Sequence, residues 1–538
     1  MRWKTLFEPP RDAPLPAWMI FPVVFAALYA SHFTLLRLPY YWDEAGYYIP
    51  AAWDFFRTGS LIPITTLTNA HPPLPSIYLA LWWKLSGFYP EATREAVLMV
   101  AGLGLLAVWR LAMRLVGVGW VAFWTVVLTG LYPIWFAQST LAHADIFAAA
   151  CTLWGLVYAL PGLDRDEASK PWAAALWFAA AALSKETAIV IPLTLAAVSL
   201  IEGFRARLPL RSRLWLQAAW MASCALPLAG WYGWHYAKTG FLFGNPEFLR
   251  YNAQANLDPL RMLAAFGHRV LHLTAHMNLF VPVLMAVAAL LLDPRPDAAG
   301  NERARIGLPA QRRIFLLLLV NCLLFSVLGG ALLTRYLLPM YPLVLLLAVA
   351  AVYRRVPYWQ GLAVFSAAAF VLGLFVNPPY GFAPEDNLAY AHVVRLHAAG
   401  IAQLTQRYRG ATVLTAWPMS DELTRPELGY LKQPWQVYRL EDFTPAQIVR
   451  AAAEPEKYSV ALVFSTKYDP PAPLLSLGPL SAAMDERYFG LHHDLPPEEI
   501  AKELGGTLVW KQEDQGQWIA LIRFDRQGSL AAAQSSAR

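Results

Sequence analysis

Apolar residues run along this chain in long unbroken blocks, and polar residues are confined to the short stretches between them. About 20 mostly apolar residues span a bilayer as a helix. Blocks of that kind lie near 17–37, 94–114, 118–137, 145–161, 213–232, 276–293, 313–333, 336–353 and 358–376. The block 172–203 is too long for one straight span and is interrupted by Lys185 and Glu186, so it reads as two short spans joined at "SKET". Leu74–Gly87 is short, follows Pro72 and Pro73 and carries Lys84, which fits a helix lying in the interface. Continuous rather than alternating apolar runs exclude a transmembrane β-barrel. The pattern predicts a polytopic α-helical membrane protein of about eleven spans.

The pattern changes at "NPPYGFAPEDN". Beyond it, "NLAYAHVVRLHAAGIAQLTQRY" has helical spacing, "ATVLTAW" and "YSVALVFST" are β-rich, and "TPAQIVRAAAE" between them is helix-like. "GTLVWKQ" and "GQWIALIRF" read as a terminal hairpin. The expected division is a membrane domain over 1–376, an α/β soluble domain over 377–526 and a disordered tail over 527–538. No internal repeat is visible, and no cleavage pattern follows the first apolar block, which reads as a retained span.

Composition agrees with a membrane setting. The chain of 538 residues is 57% hydrophobic and 15% charged, against about 25% charged in soluble domains. Its 22 Trp and 24 Tyr suit the membrane–water boundary. Cys151, Cys224 and Cys322 all lie inside apolar blocks, so they indicate neither a disulfide framework nor a zinc site. The net charge of +6 sits largely in Arg-rich loops at 204–213, 295–313 and 353–357, each separated from the next by two spans. They share one side, the cytoplasmic one by the positive-inside rule, together with Arg2, Lys4 and Arg11. No basic soluble module calls for a nucleic acid. The N-terminus is then inside and the C-terminus outside, and 38–93 is the first outer loop.

The outer boundary layer collects the candidate chemistry. "PYYWDEAGYY" places Asp43 and Glu44 beside Tyr47, at the start of a helix with apolar positions Ala45, Ile49, Ala52 and Phe56. An N-cap explains one carboxylate; two among aromatic residues exceed what a cap requires, because desolvating them is costly. "NAHPPL" holds His71 behind two prolines, and "STLAHADIF" places His143 and Asp145 at the start of a span. "LSKETA" puts Lys185 and Glu186 at a turn, and "LLTRYLLPMYP" puts Arg335 and Tyr336 between two spans. Each has an ordinary reading as a cap, a turn or a snorkelling anchor. Together they place carboxylates, histidines and two cations at one depth.

In this order, "WDEAGYY", "HPPL", "LAHADIF", "LSKETA" and "TRYLLPMYP" resemble the GT-C glycosyltransferases, within them the protein O-mannosyltransferase and aminoarabinose-lipid A transferase group. The resemblance covers roughly residues 15–350. It implies transfer of a sugar, mannose-like or a related hexose, from a polyprenyl-phosphate carrier on the outer side of the membrane. It implies Asp43 as the catalytic base or its close partner, with Glu44 beside it and Asp145 as a second acidic site. Lys185 and Arg335 would contact the donor phosphate, while His71, His143, Glu186, Tyr336 and Tyr47 line the site. Gly46 stands where the aminoarabinose transferases carry an arginine, and "AHPP" replaces their acidic-Lys-Pro motif, which leans toward the mannosyltransferase-like side.

The partners expected are membrane lipid, a polyprenyl-phosphate sugar donor and a protein, lipid or glycan acceptor. No cofactor is required. The acidic pair leaves room for a divalent metal, but no ligand set in the sequence demands one. The location expected is a bacterial inner membrane with the C-terminal domain periplasmic. The rival class is a lipid or solute transporter with the same polar residues lining its pathway.

Overall fold

The computed structural model describes residues 17–162, 170–253, 257–297, 299–468, 486–489 and 494–525. The N-terminal cations and the expected disordered tail lie outside the described residues. Helices dominate up to Phe375. Among the described residues three are long and apolar enough to cross a membrane: Pro90–Val116, Glu186–Arg205 and Leu308–Val327. A fourth candidate is a bent pair, Pro259–Asn278 and Phe280–Leu290, meeting at 102°. Shorter apolar helices include Met19–Leu35, Gly119–Leu131, Ala144–Ala159, Pro171–Ser184 and Trp359–Phe375. The chain is thus a multi-pass, mostly helical membrane protein.

The helix Pro90–Val116 is the central post, with 27 residues and a rise of about 40 Å. Alanines and glycines let its neighbours approach closely: Gly104 lies against Trp135 and Ala150. It packs against the helices Ala17–His32, Gly119–Leu131 and Ala144–Ala159. Large apolar side chains such as Leu263, Leu291 and Phe365 point outward, as a lipid-facing surface requires.

After the helix Ala389–Arg407 the chain builds a five-stranded sheet in the order β2-β1-β3-β5-β4. The strands are β1 (Val413–Ala416), β2 (Val437–Leu440), β3 (Val460–Phe464), β4 (Thr507–Asp514) and β5 (Gln517–Arg523). β2, β1 and β3 are parallel, and β3–β5–β4 is antiparallel. β1 and β3 are buried at every position, which suits their apolar sequence; the one polar residue, Thr415, donates its hydroxyl to the Leu462 carbonyl at 2.6 Å. Gln515 and Gly516 both take positive φ, the backbone needed by a two-residue hairpin turn. β2 follows a loop rich in Pro and Gln and carries no apolar run, so the sequence reading passed over it.

The sheet-bearing segment rests on the helical part at two places. Tyr40 donates its N–H to the Leu428 carbonyl at 3.2 Å, and Arg425 reaches the Thr65 carbonyl at 2.9 Å. Arg261 donates to the Tyr488 carbonyl at 2.9 Å, while His268 meets the Phe489 ring.

Candidate active site

The first loop brings the carboxylate pair to the end of the bundle. Trp42 takes φ +49°, sparsely populated for a bulky residue, and a π-helical turn follows over Glu44–Tyr48 before the helix Ile49–Thr58. Asp43 occupies the N-cap position but makes no cap hydrogen bond. Its carboxylate instead accepts from Arg335 Nη2. Asp54 is buried and accepts the N–H groups of Ile64 and Thr65, so it ties down the following loop.

Arg335 is the hub. It sits in the turn Thr334–Leu337 with 3% of its side chain exposed. Besides Asp43, its Nη1 donates to His143 Nδ1 at 2.7 Å and to Glu385 Oε2 at 3.0 Å. Its Nε lies 3.5 Å from Asp145 Oδ2, without a hydrogen bond forming. Asp145 accepts from Lys185 Nζ on its other oxygen. Lys185 also stands 4.1 Å above the Tyr336 ring. That ring passes over Gly329, whose φ of +85° and lack of Cβ make the space: a Cβ there would come within 2.5 Å of it. Burial holds His143 well below the usual histidine range, and Arg335 adds to the effect. Its imidazole is therefore neutral and able to accept from the guanidinium.

Glu186, next to Lys185, turns the other way and pairs with His71 at 3.2 Å. Tyr48 lies between the two histidines, its ring centroid 5.7 Å from His71 and 5.9 Å from His143. Tyr47 contacts His71 edge-on at 5.3 Å. The structure thus brings together Asp43, His143, Asp145, Lys185, Arg335 and Tyr336, with His71, Glu186 and Tyr47 one layer away. Glu44 does not join them. Its side chain is fully buried against Arg94 at 3.2 Å and accepts the N–H groups of Tyr41 and Ala142 at 2.9 and 2.7 Å. A carboxylate with all its lone pairs occupied in a closed pocket has no access to a substrate, so the sequence-based catalytic role does not fit its position.

Three participants escaped the sequence reading. Arg94 was taken as the first residue of a span. Glu385 and Asp386 were taken as a composition boundary, yet the segment Pro384–Asp386 folds back onto the site. Asp386 meets His276 Nε2 at 2.9 Å and accepts from Thr334 Oγ1. The usable signal was a second adjacent carboxylate pair directly after an apolar block.

Four buried polar atoms of the hub have no hydrogen-bond partner: Arg335 Nε, Asp145 Oδ2, His143 Nε2 and Glu385 Oε1. Buried polar atoms are normally satisfied; here Arg335 Nε and Asp145 Oδ2 face each other at 3.5 Å, and His143 Nε2 and Glu385 Oε1 are left without a protein partner. Beside it lies a small cavity of about 20 Å³, polar at the Asp145, Lys185 and Tyr336 end and lined further on by Ala148, Ile191, Phe325 and Asn321. Among the described residues no group of three or more His, Cys, Asp or Glu side chains is arranged to hold a metal ion. On the other flank, Trp417 packs over Gly46, where a Cβ would come within 2.9 Å of the indole, so an arginine has no room there.

Residues 70–231 match the family model of the dolichyl-phosphate-mannose-protein mannosyltransferases. No curated protein matches the chain by sequence. Among solved structures, apo ArnT from Cupriavidus metallidurans superposes with a TM-score of 0.52 at 15% identity, over 94% of this chain and 98% of that one. The same protein bound to undecaprenyl phosphate gives 0.53 at 16% identity with the same coverage. By its fold over nearly the whole length, and by its sequence over 70–231, the chain resembles the GT-C glycosyltransferases of the mannosyltransferase and ArnT-like group.

Proposed function

We propose that this protein is a membrane glycosyltransferase that moves a sugar, mannose-like or a related hexose, from a polyprenyl-phosphate donor to an acceptor hydroxyl. The observation that carries the reading is the convergence of Asp43, Asp145, Lys185 and Arg335 in one cluster, with a small cavity beside Asp145 and Lys185 that runs on to Ala148, Ile191 and Phe325. The anionic head of a lipid carrier needs cations and hydrogen-bond donors; its tail needs an apolar groove. That a fold neighbour binds undecaprenyl phosphate supports the same donor class here.

Asp43 is the most open member of the hub, with 34% of its side chain exposed. It takes the proton from the acceptor hydroxyl as oxygen attacks the anomeric carbon, which is general-base work. The bond from that carbon to the phosphate oxygen breaks, and the lipid phosphate leaves with the electron pair. Arg335 and Lys185 neutralise the charge that grows on the leaving phosphate in a site shielded from water. Attack from the face opposite the leaving group inverts the anomeric configuration. Asp145 holds Lys185 and Arg335 in register, and His143 supports Arg335. Glu44 has a different part: with Arg94 it fixes the loop on which Asp43 is mounted.

On this reading the hub lies at the non-cytoplasmic side of a bacterial inner membrane, and residues 377–526 form a periplasmic unit above it. Protein, lipid and glycan hydroxyls all remain chemically suitable acceptors. The test is turnover of the purified enzyme on a polyprenyl-phosphate hexose, read as release of free polyprenyl phosphate. Asp43→Asn should lower it about 10²–10⁴-fold with folding intact. Near-normal turnover in that variant would remove Asp43 from the chemistry.

A further inference from the structure

The mechanism above leaves Glu385 unused, yet its carboxyl touches the hub. It arrives from the segment between the helices Trp359–Phe375 and Ala389–Arg407. Oε2 accepts from Arg335 Nη1 at 3.0 Å and lies 3.8 Å from His143 Nδ1, while Oε1 is buried without a partner. Only 4% of the side chain is exposed. Its position is fixed on both sides, because the next residue, Asp386, is bonded to His276 and to Thr334, the residue preceding Arg335.

The charged and titratable groups facing it come from every neighbouring element. The first loop supplies Asp43 and Tyr41; the start of the helix Ala144–Ala159 supplies Asp145 and His143. The turn Thr334–Leu337 supplies Arg335, and the segment itself supplies Asp386, which His276 already pairs. Lys185 stands behind Asp145. Fully ionised, Asp43, Asp145 and Glu385 outnumber Arg335 and Lys185 before any phosphate arrives. A phosphate placed on Arg335 adds further negative charge where Coulomb energies are several times those in water.

We infer that Glu385 is a positioning residue for the donor phosphate: it occupies Arg335 as a neutral, proton-bearing carboxyl, so that donor binding at alkaline pH takes up a proton. The inference rests on the polyprenyl-phosphate reading of the site. Burial supports it by pushing Glu385 up to about 8, although Arg335 pulls the other way. Below that value the neutral carboxyl lets Arg335 serve the phosphate. Above it, the carboxylate competes for Arg335 and repels the ligand, so affinity falls as pH rises through about 8.

The experiment titrates the full-length protein in lipid nanodiscs with undecaprenyl phosphate from pH 6.5 to 9.5, in buffers of different ionisation enthalpy so that proton uptake is counted. Wild-type affinity should fall about tenfold across the alkaline half of that range, with net proton uptake. Whatever its affinity at pH 6.5, Glu385→Gln should hold that affinity nearly flat to pH 9.5, without that uptake. Parallel pH profiles in the two proteins, or no proton uptake by wild type, would overturn the role of Glu385 while leaving the donor reading intact. Absence of binding at any pH would sink the donor reading and this inference with it. The phosphate has its own second ionisation at about 6, so the deciding quantity is the difference in proton count between wild type and variant; should Glu385→Gln fail to fold, Glu385→Asp, which keeps a carboxyl, should retain the uptake and Glu385→Ala should lose it.

Discussion

Asp43 and Glu44 are neighbours in the chain, yet each ends on a different buried arginine, and the two arginines live under opposite conditions. Arg94 meets both oxygens of Glu44 and the carbonyls of Leu38, Pro39 and Thr140, while Glu44 takes two backbone N–H groups besides. Nothing in that pair is left unbonded. Arg335 is shared among Asp43, Asp145, Glu385 and His143, and each of the last three, like Arg335 itself, keeps a buried polar atom without a partner. A saturated ion pair defines a shape; an unsaturated one stores capacity for a ligand. Both arginines are buried, but Arg94 meets one fully buried carboxylate while Arg335 meets three, one of them about a third exposed, so the two differ in hydrogen-bond satisfaction, charge balance and access.

Substitutions should therefore split along that line. Arg335→Gln should have the largest effect on chemistry, lowering sugar transfer about 10²–10³-fold while folded protein is still recovered. Wild-type turnover in that variant would break the comparison outright. Glu44→Gln should do the reverse. Breaking a buried pair leaves an uncompensated charge on Arg94 and costs about 3–5 kcal/mol of stability, seen as a lower melting temperature and yield. If its only defect were in turnover of a normally stable protein, Glu44 would belong to the site after all. Lys185→Gln removes one charged hydrogen bond, worth about 1.5–3 kcal/mol, so transfer should drop roughly ten- to a hundredfold; Asp145 keeps Arg335 beside it, so the loss of stability should be smaller than for Glu44→Gln. Gly46→Ala is the mildest. It presses a methyl against Trp417 at a cost of about 1–3 kcal/mol, which should speed limited proteolysis between 377 and 388 with only a modest change in turnover.

The depth of each polar residue was legible from the sequence, because apolar blocks mark where a membrane boundary falls. That is why Asp43, His143, Asp145, Lys185 and Arg335, from four separate stretches, could be set at one level. What blocks of hydrophobicity do not encode is angle around the helix axis. Adjacent residues on a turn point in different directions, so Asp43 and Glu44 looked equivalent while facing different arginines. Lys185 and Glu186 likewise part, one to Asp145 and the other to His71. Glu385 was hidden for another reason. It follows the final apolar block, and its return to Arg335 depends on tertiary contacts made by Asp386 that no local pattern announces. β2 was missed because it has neither an alternating nor a continuous apolar run, and it forms by pairing alongside β1.

The stretch from Pro384 to Asp386 is also the tether between the membrane helices and the sheet. The carboxyl of Glu385 meets the central guanidinium, and that of Asp386 is anchored through His276 and Thr334. The sheet-bearing segment is therefore stitched to Arg335 by the very stretch that connects it to the bundle. Lengthening or cutting that stretch cannot free the sheet without also taking a partner away from Arg335.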